Sequence, residues 1–216
     1  MGVAQSLGEL PYAEYLQGFE DDAFEHDGNY TEVHVDQLEL EKGEATSAKF
    51  IESALTGVTL GEVGLEKARF SDVWLSRNRW VGVRLVEAEL LDVSMLDSSL
   101  AGVQAYGSRM RRVTFQRCKI DTLNLRGATL VDVSFEDCEL NELDCAGANL
   151  ANVTFEGTTI RNARMSQVKC KKVDFRGARE LDVADGADSL KGAIVDERQL
   201  MELGPALAAA LGIIVK

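Results

Sequence analysis

Every fifth residue from Val35 to Phe175 is apolar, without exception across 29 consecutive positions. In a chain that is 45% hydrophobic overall, such a run arises by chance on the order of once in 10¹⁰ sequences, so it is an internal repeat. Two residues before each member lies a second, mostly small position: Val58, Val63, Ala68, Val73, Val83, Ala88, Val93, Ser98 and onward to Val173 and Ala178. A period of five fits neither the helix at 3.6 nor the strand at 2. It requires a chain that turns a corner every five residues, pointing two side chains inward and three outward. Four such segments close a square coil of twenty residues, and coils stack like parallel strands at roughly 4.8 Å. The stretch 33–195 then makes about eight coils, a rod roughly 40 Å long.

Stepping by twenty gives the interior columns. One reads Leu75, Met95, Phe115, Phe135, Phe155, Phe175, with valines two residues before each. The others run Leu60 to Ile160, Leu65 to Met165 and Phe70 to Cys170. Polar residues in the small slot (Ser98, Ser108, Thr158) are expected to hydrogen-bond the turning backbone. The glycines at 102, 107, 127, 147, 157 and 177 fall in turn slots, where a positive φ would explain them.

The pattern fails at Glu180 and Asp185, where charges fall on core positions, and resumes weakly at Leu190 and Val195. A stack of coils has two open ends that need covers. At the C-terminal end, 196–216, Asp196 with Gln199 predicts a capping box, and Leu200, Leu203, Leu207 and Leu211 have helical spacing. Gly204-Pro205 predicts a break into two short helices. Two readings of this end stay open: a cover for the core, or a helix that pairs two protomers through Leu203, Leu207 and Leu211. At the other end, 1–32, Tyr12, Tyr15, Leu16 and Phe19 predict a short amphipathic helix after Pro11, followed by an acidic loop.

Ala148-Asn149-Leu150-Ala151-Asn152 matches the repeat Ala-Asp/Asn-Leu followed by two variable residues, and Ala128-Thr129-Leu130 and Arg176-Gly177-Ala178 are similar. Over about three-quarters of its length the chain therefore resembles the pentapeptide-repeat family. The resemblance implies an all-β solenoid, a right-handed quadrilateral parallel β-helix, here with a short C-terminal helical cap. It also brings in a function found in some members, which imitate DNA with a rod acidic along one face and occupy the DNA site of DNA gyrase or topoisomerase IV, protecting cells from quinolones. The frequent Val in the small slot and the absence of any interruption of the five-residue register depart from those members.

Candidate chemistry is sparse. His26 and His34 have no ligand cluster at metal spacing. Cys118, Cys138, Cys145 and Cys170 all take inward slots and read as buried thiols acting as small hydrophobes, since side chains one coil apart run parallel and hold their Cβ atoms too wide for a disulfide. No catalytic constellation, cofactor loop or metal site is expected, and no stretch has transmembrane length or the form of a secretion signal, which reads as cytoplasmic.

The net charge of −13 is unevenly placed. Residues 1–45 hold twelve acids and one base, Lys42, which leaves the other 171 residues at −2. On the rod face around Phe50, Phe70 and Leu90, Lys49, Arg69, Arg109, Arg111, Arg112, Lys169, Lys171, Lys172 and Lys191 outnumber five acids. Such a face repels a basic DNA groove. The clearest acidic spot is the coil 131–150, with Asp132, Glu136, Asp137, Glu139, Glu142 and Asp144, a candidate docking epitope. Basic clusters without interleaved aromatics argue against nucleic-acid binding. The favoured reading is a non-enzymatic protein–protein interaction scaffold with an unassigned partner; the alternative is the DNA-mimicking inhibitor or protector of gyrase or topoisomerase IV. The acidic segment is expected either to bind that partner or to fold over the basic face.

Overall fold

The computed structural model describes residues 3–214. The chain winds into a quadrilateral parallel β-solenoid of about nine turns, closed at its C-terminal end by one helix. Two sheets carry the ladder. Four strands open the chain: β1 (Gln17–Gly18), β2 (Asn29–Thr31), β3 (Val33–Asp36) and β4 (Glu39–Glu44). A twelve-stranded sheet begins at β1 and ends at Ala193–Ile194; an eight-stranded sheet runs from β4 to Glu180–Asp185. From Thr59 to Asp174 each strand pairs with residues twenty positions away, as in Leu90↔Met110 and Phe115↔Phe135. The additional turn comes from β1 and β2, which pair with β3 and with Lys49–Ile51 before the regular repeat begins.

The corners are built from left-handed residues two places after nearly every fifth-position residue. Most are not glycine: Asp72, Asp92, Asp97, Arg112, Arg117, Asp132 and Asp137 have φ between 51° and 55°. Asp and Asn tolerate this region best, which suits their frequency there. Gly102, Gly107, Gly127, Gly147 and Gly157 share it, but Gly177 does not have positive φ; it is small because a Cβ there would lie 3.0 Å from the Glu156 Cα.

Of the 29 fifth-position residues, all but Leu40 and Cys170 are buried. Both exceptions lie near the ends, where a neighbouring coil is incomplete. Phe115, Phe135, Phe155 and Phe175 stack with ring centroids 4.9, 5.2 and 4.9 Å apart and planes within 7°. Phe50 and Phe70 stack in the same way at 4.8 Å. The repeat dictates this: identical side chains twenty residues apart occupy identical slots one strand spacing away.

Two kinds of corner share the five-residue spacing. At Ala68, Ala88, Ser108, Ala128 and Ala148 the backbone N–H closes a turn onto the carbonyl three residues back. At Val58, Asn78, Cys118 and Cys138 that bond is missing, and the N–H instead donates to a side chain in the next coil. Val58 N–H bonds Asn78 Oδ1 (2.7 Å), Asn78 N–H bonds Ser98 Oγ (3.0 Å), Cys118 N–H bonds Cys138 Sγ (3.4 Å) and Cys138 N–H bonds Thr158 Oγ1 (3.1 Å). Ser98 and Thr158 thus serve the backbone as expected. Ser108 does not: its corner is already closed, and its buried hydroxyl has no partner. The cysteines are unbridged, but Cys118 and Cys138 are members of a polar ladder rather than plain hydrophobes, each also donating to a carbonyl 23 residues back. Replacing Thr158 by Val is expected to lower unfolding stability by about 1–3 kcal/mol, because it leaves the buried Cys138 N–H unpaired. Ser108→Ala is expected to be neutral or slightly stabilising, and urea titration of both variants checks the pair.

The ends differ from expectation in three places. No helix forms at Tyr12–Phe19; a single 3₁₀ turn, Ala13–Tyr15, precedes β1, because the chain must extend to pair with Val33 and His34. Phe19, Phe24 and Tyr30 instead form an aromatic cover over Phe50, with Phe24 edge-on to it at 5.1 Å. At Glu180 the charge does not enter the core. One extra residue shifts the register, so Ile160 pairs with Leu181 and Glu180 turns outward to Arg161 (2.8 Å). The step of twenty returns at Val173↔Ala193. Finally, one continuous helix, α1 (Glu197–Ala210), runs through Pro205. Pro205 and Met201, whose carbonyl loses its donor, are both exposed, so water can take the place of the missing N–H. The capping box forms (Gln199 N–H to Asp196 Oδ1, 2.7 Å), and the buried Gln199 amide donates to the Phe175 carbonyl at 2.6 Å, closing the last coil.

Candidate interaction surfaces

The six acids of the 131–150 coil are not brought together. They point from successive sides of the square. Asp132 accepts from Asn152 (2.8 Å), Glu136 from Gln116 (3.1 Å), Asp137 from Arg179 (2.8 Å) and Glu142 from Thr122 (3.2 Å). Asp144 faces Arg126 at 3.8 Å and caps the Ala146 N–H; Glu139 lies beside Lys119 in the ladder. Most of these carboxylates are tied to neighbouring coils.

Charge alternates by coil on one corner: Arg77, Asp97, Arg117, Asp137. Arg117 holds Asp97 through two bonds of 2.7 and 2.9 Å, and Arg112 holds Asp92 through two of 2.6 Å. These guanidinium hydrogen bonds hold both carboxyls below the usual aspartate range. Because their folded values are depressed, the stabilisation is present above the unfolded value of about 4 and is lost as pH falls through the folded values. Thermal unfolding followed below about pH 4 is therefore expected to show a falling melting temperature, with a shallower fall in Asp97→Asn.

The basic face stays uncovered by the acidic segment. No ion pair among the described residues joins an acid of residues 3–32 to it. Instead the N-terminal arm lies along the adjacent side, where Leu10 and Tyr12 pack on Ala54, Trp74 and Leu96. Trp74 Nε1 donates to the Ala4 carbonyl (3.0 Å), and Gln5 reaches Gln116 (2.9 Å) and Arg117 (3.1 Å). No sequence pattern pointed to this strap, although the outward apolar residues Trp74 and Leu96 were its signal.

At the other end Leu203 is buried and Leu207 packs against the core, whereas Leu211 is 70% exposed. Of the three residues read as pairing protomers, two thus face the rod. An apolar cleft of about 350 Å³ lies between α1 and the last coil, lined by Leu190, Val195, Leu200 and Leu203 among others. His26 pairs with Asp27 (3.1 Å) and His34 contacts Thr56 (3.0 Å). Among the described residues no group of three or more His, Cys, Asp or Glu could hold a metal ion, and no helix is long and apolar enough to cross a membrane. Burial pushes the Cys145 thiol up to about 12, and the hydrogen bond to Cys118 together with burial raises Cys138.

The family model described as a pentapeptide repeat region matches residues 108–183. No curated protein matches the chain. Among solved structures, the chain is similar to a trypsin-treated variant of QnrB1, a plasmid-mediated fluoroquinolone resistance protein, at 12% identity over 93% of this chain and 97% of that one, with a TM-score of 0.45. It is also similar to HetL, a pentapeptide repeat protein involved in heterocyst differentiation regulation from the cyanobacterium Nostoc sp. strain PCC 7120, at 14% identity over 78% of this chain and 91% of that one, with a TM-score of 0.28. Likenesses of this strength carry no argument about activity. The unbroken five-residue repeat and the square coil it builds agree with that match, which identifies residues 108–183 as a pentapeptide repeat region.

Proposed function

We propose that the protein is a non-catalytic, cytoplasmic interaction scaffold that binds a protein partner through its acidic N-terminal end. The observation that carries this reading is the charge distribution. Residues 1–45 concentrate twelve acids against one base, while along the rod the acids are paired with bases one or two coils away. A partner held by that end is expected to dissociate as salt rises, since exposed charges are screened within about 8 Å at physiological ionic strength.

The competing reading, DNA mimicry toward gyrase or topoisomerase IV, calls for a continuous negative stripe. The alternation Arg77, Asp97, Arg117, Asp137 and the exposed bases of the 50–172 face work against it. Self-association is a further part of the proposal: Leu200, Met201, Leu211 and Ile213 are 54–74% exposed at the C-terminal end, and Leu211→Glu is expected to abolish any dimer seen by sedimentation.

The scaffold reading is tested by quantitative capture from host lysate on the full chain. The variant neutralises Glu20, Asp21, Asp22 and Glu25 to their amides. Deleting residues 1–32 is unsuitable, because that would uncover Phe50, Trp74 and Leu96. Loss of a salt-sensitive partner in the amide variant is the expected result. A partner retained equally by both, at low and high salt, would overturn the acidic end as the binding element.

A further inference from the structure

β4 is the last strand of the eight-stranded sheet and has a neighbour on one side only, Thr59–Gly64. The repeat shows which of its backbone groups point to the empty side. Thr59, Arg79, Ser99 and Lys119 each donate their N–H to the preceding coil, so Glu39, in the same slot, aims its N–H where no strand pairs; the link from Phe19, bonded to the His34 carbonyl, to Asp27, bonded to the Thr46 carbonyl, passes this end without forming one. Arg84 and Gln104 do likewise, which assigns a second outward N–H to Glu44. The Gly64 carbonyl accepts from Ala45, so the Glu44 carbonyl also faces out. The core is open at the same place: Leu40 is one of two fifth-position residues not buried, and Leu38 beside it is half-buried.

We propose that this edge receives an extended segment of a partner protein as an added strand, with an apolar residue over Leu40 flanked by lysine or arginine opposite Glu39 and Glu41. The inference rests on the scaffold reading and names the partner's chemistry. Main-chain bonds supply affinity in strand addition, and the alternate side chains supply selectivity. The charges select the occupant. Lys42 is already bridged to Glu62 (3.7 Å) and Glu44 to Arg84, whereas Glu39 and Glu41 have no ion pair among the described residues. Two copies of this chain meeting edge to edge would set those carboxylates against each other, and an acidic strand would fare no better. Charged edge residues ordinarily block strand pairing; here the block has one sign, and a cationic strand removes it.

The test uses the full chain and a fluorescent peptide, acetyl-Thr-Lys-Leu-Lys-Val-Lys-amide, against the same peptide N-methylated at alternate residues. Binding is read by anisotropy and by hydrogen exchange at the Glu39 and Glu44 amides. The expected result is binding of the first peptide with slowed exchange at both amides, and at least tenfold weaker binding of the N-methylated peptide. Glu39→Lys with Glu41→Lys, both on the surface, is expected to weaken the first peptide at least tenfold while the melting temperature holds. Equal binding of the two peptides, unchanged exchange at Glu39 and Glu44, or no binding at millimolar peptide would each overturn strand addition. Those failures leave the scaffold reading standing, since the lysate capture with amide variants tests it separately.

Discussion

Deleting Thr122 alone is expected to abolish folding, whereas deleting the whole coil 121–140 is expected to leave a folded, shorter rod. Removing one residue moves everything after it back by one slot. Arg126 then occupies the place of Leu125, and Glu136 that of Phe135, both fully interior. Unpaired charges inside a dry core, repeated over the remaining coils, exceed the roughly 5–15 kcal/mol that holds a typical domain. Removing twenty residues keeps every slot. Ile120 runs into Asn141, Phe115 comes to stack on Phe155, and the Cys118 N–H meets Thr158 Oγ1 in place of Cys138. The solenoid contacts are between neighbouring coils, so the loss is confined to one repeat and one interface. Circular dichroism and thermal unfolding compare the two. A one-residue deletion with native-like unfolding would show that the coils absorb a bulge anywhere, as they do once near Glu180, and would contradict a core locked at twenty residues per turn.

The second large effect is expected at Phe135. Its ring is stacked on two others, Phe115 at 4.9 Å and Phe155 at 5.2 Å. Phe135→Ala removes both contacts and leaves a void walled by backbone that is hydrogen-bonded to coils above and below, which limits collapse. The expected loss is about 3–5 kcal/mol. Because the defect lies mid-rod, the denaturant slope is expected to fall as the two halves uncouple. A loss below about 1 kcal/mol with an unchanged slope would mean the square interior relaxes around the gap, against the packing expected of protein cores.

The interior was readable from the chain because the solenoid asks the same question every five residues, and a narrow core admits only apolar or small answers. The corners were less readable. Open and closed turns share the five-residue spacing, and only the column Asn78, Ser98, Cys118, Cys138, seen by stepping twenty, marks open ones; Thr158, next in that column, sits on a closed corner and lends its hydroxyl to the Cys138 N–H. Tyr12, Tyr15, Leu16 and Phe19 have helical spacing, but Tyr12 is buried against the rod side at Ala54 and Trp74. Gly204-Pro205 has the local form of a helix break, but Pro205 and Met201 both face solvent, where water can satisfy the released carbonyl, and α1 runs on. The acids from Asp132 to Asp144 are close in sequence yet wind around four sides, so density along the chain did not become density in space. The free edge of β4 had no signal at all in its own side chains, since what distinguishes it is a missing neighbour.

Whether the rod presents itself to a topoisomerase as DNA separates the scaffold from the mimic. The direct measurement is supercoiling by purified DNA gyrase with the full-length protein titrated to micromolar concentration, alongside displacement of a labelled duplex from the enzyme. A rod whose corner charges alternate by coil is predicted to leave both supercoiling and duplex binding unchanged. Inhibition of supercoiling with stoichiometric displacement of the duplex would contradict a scaffold without DNA mimicry and restore the DNA-mimic reading.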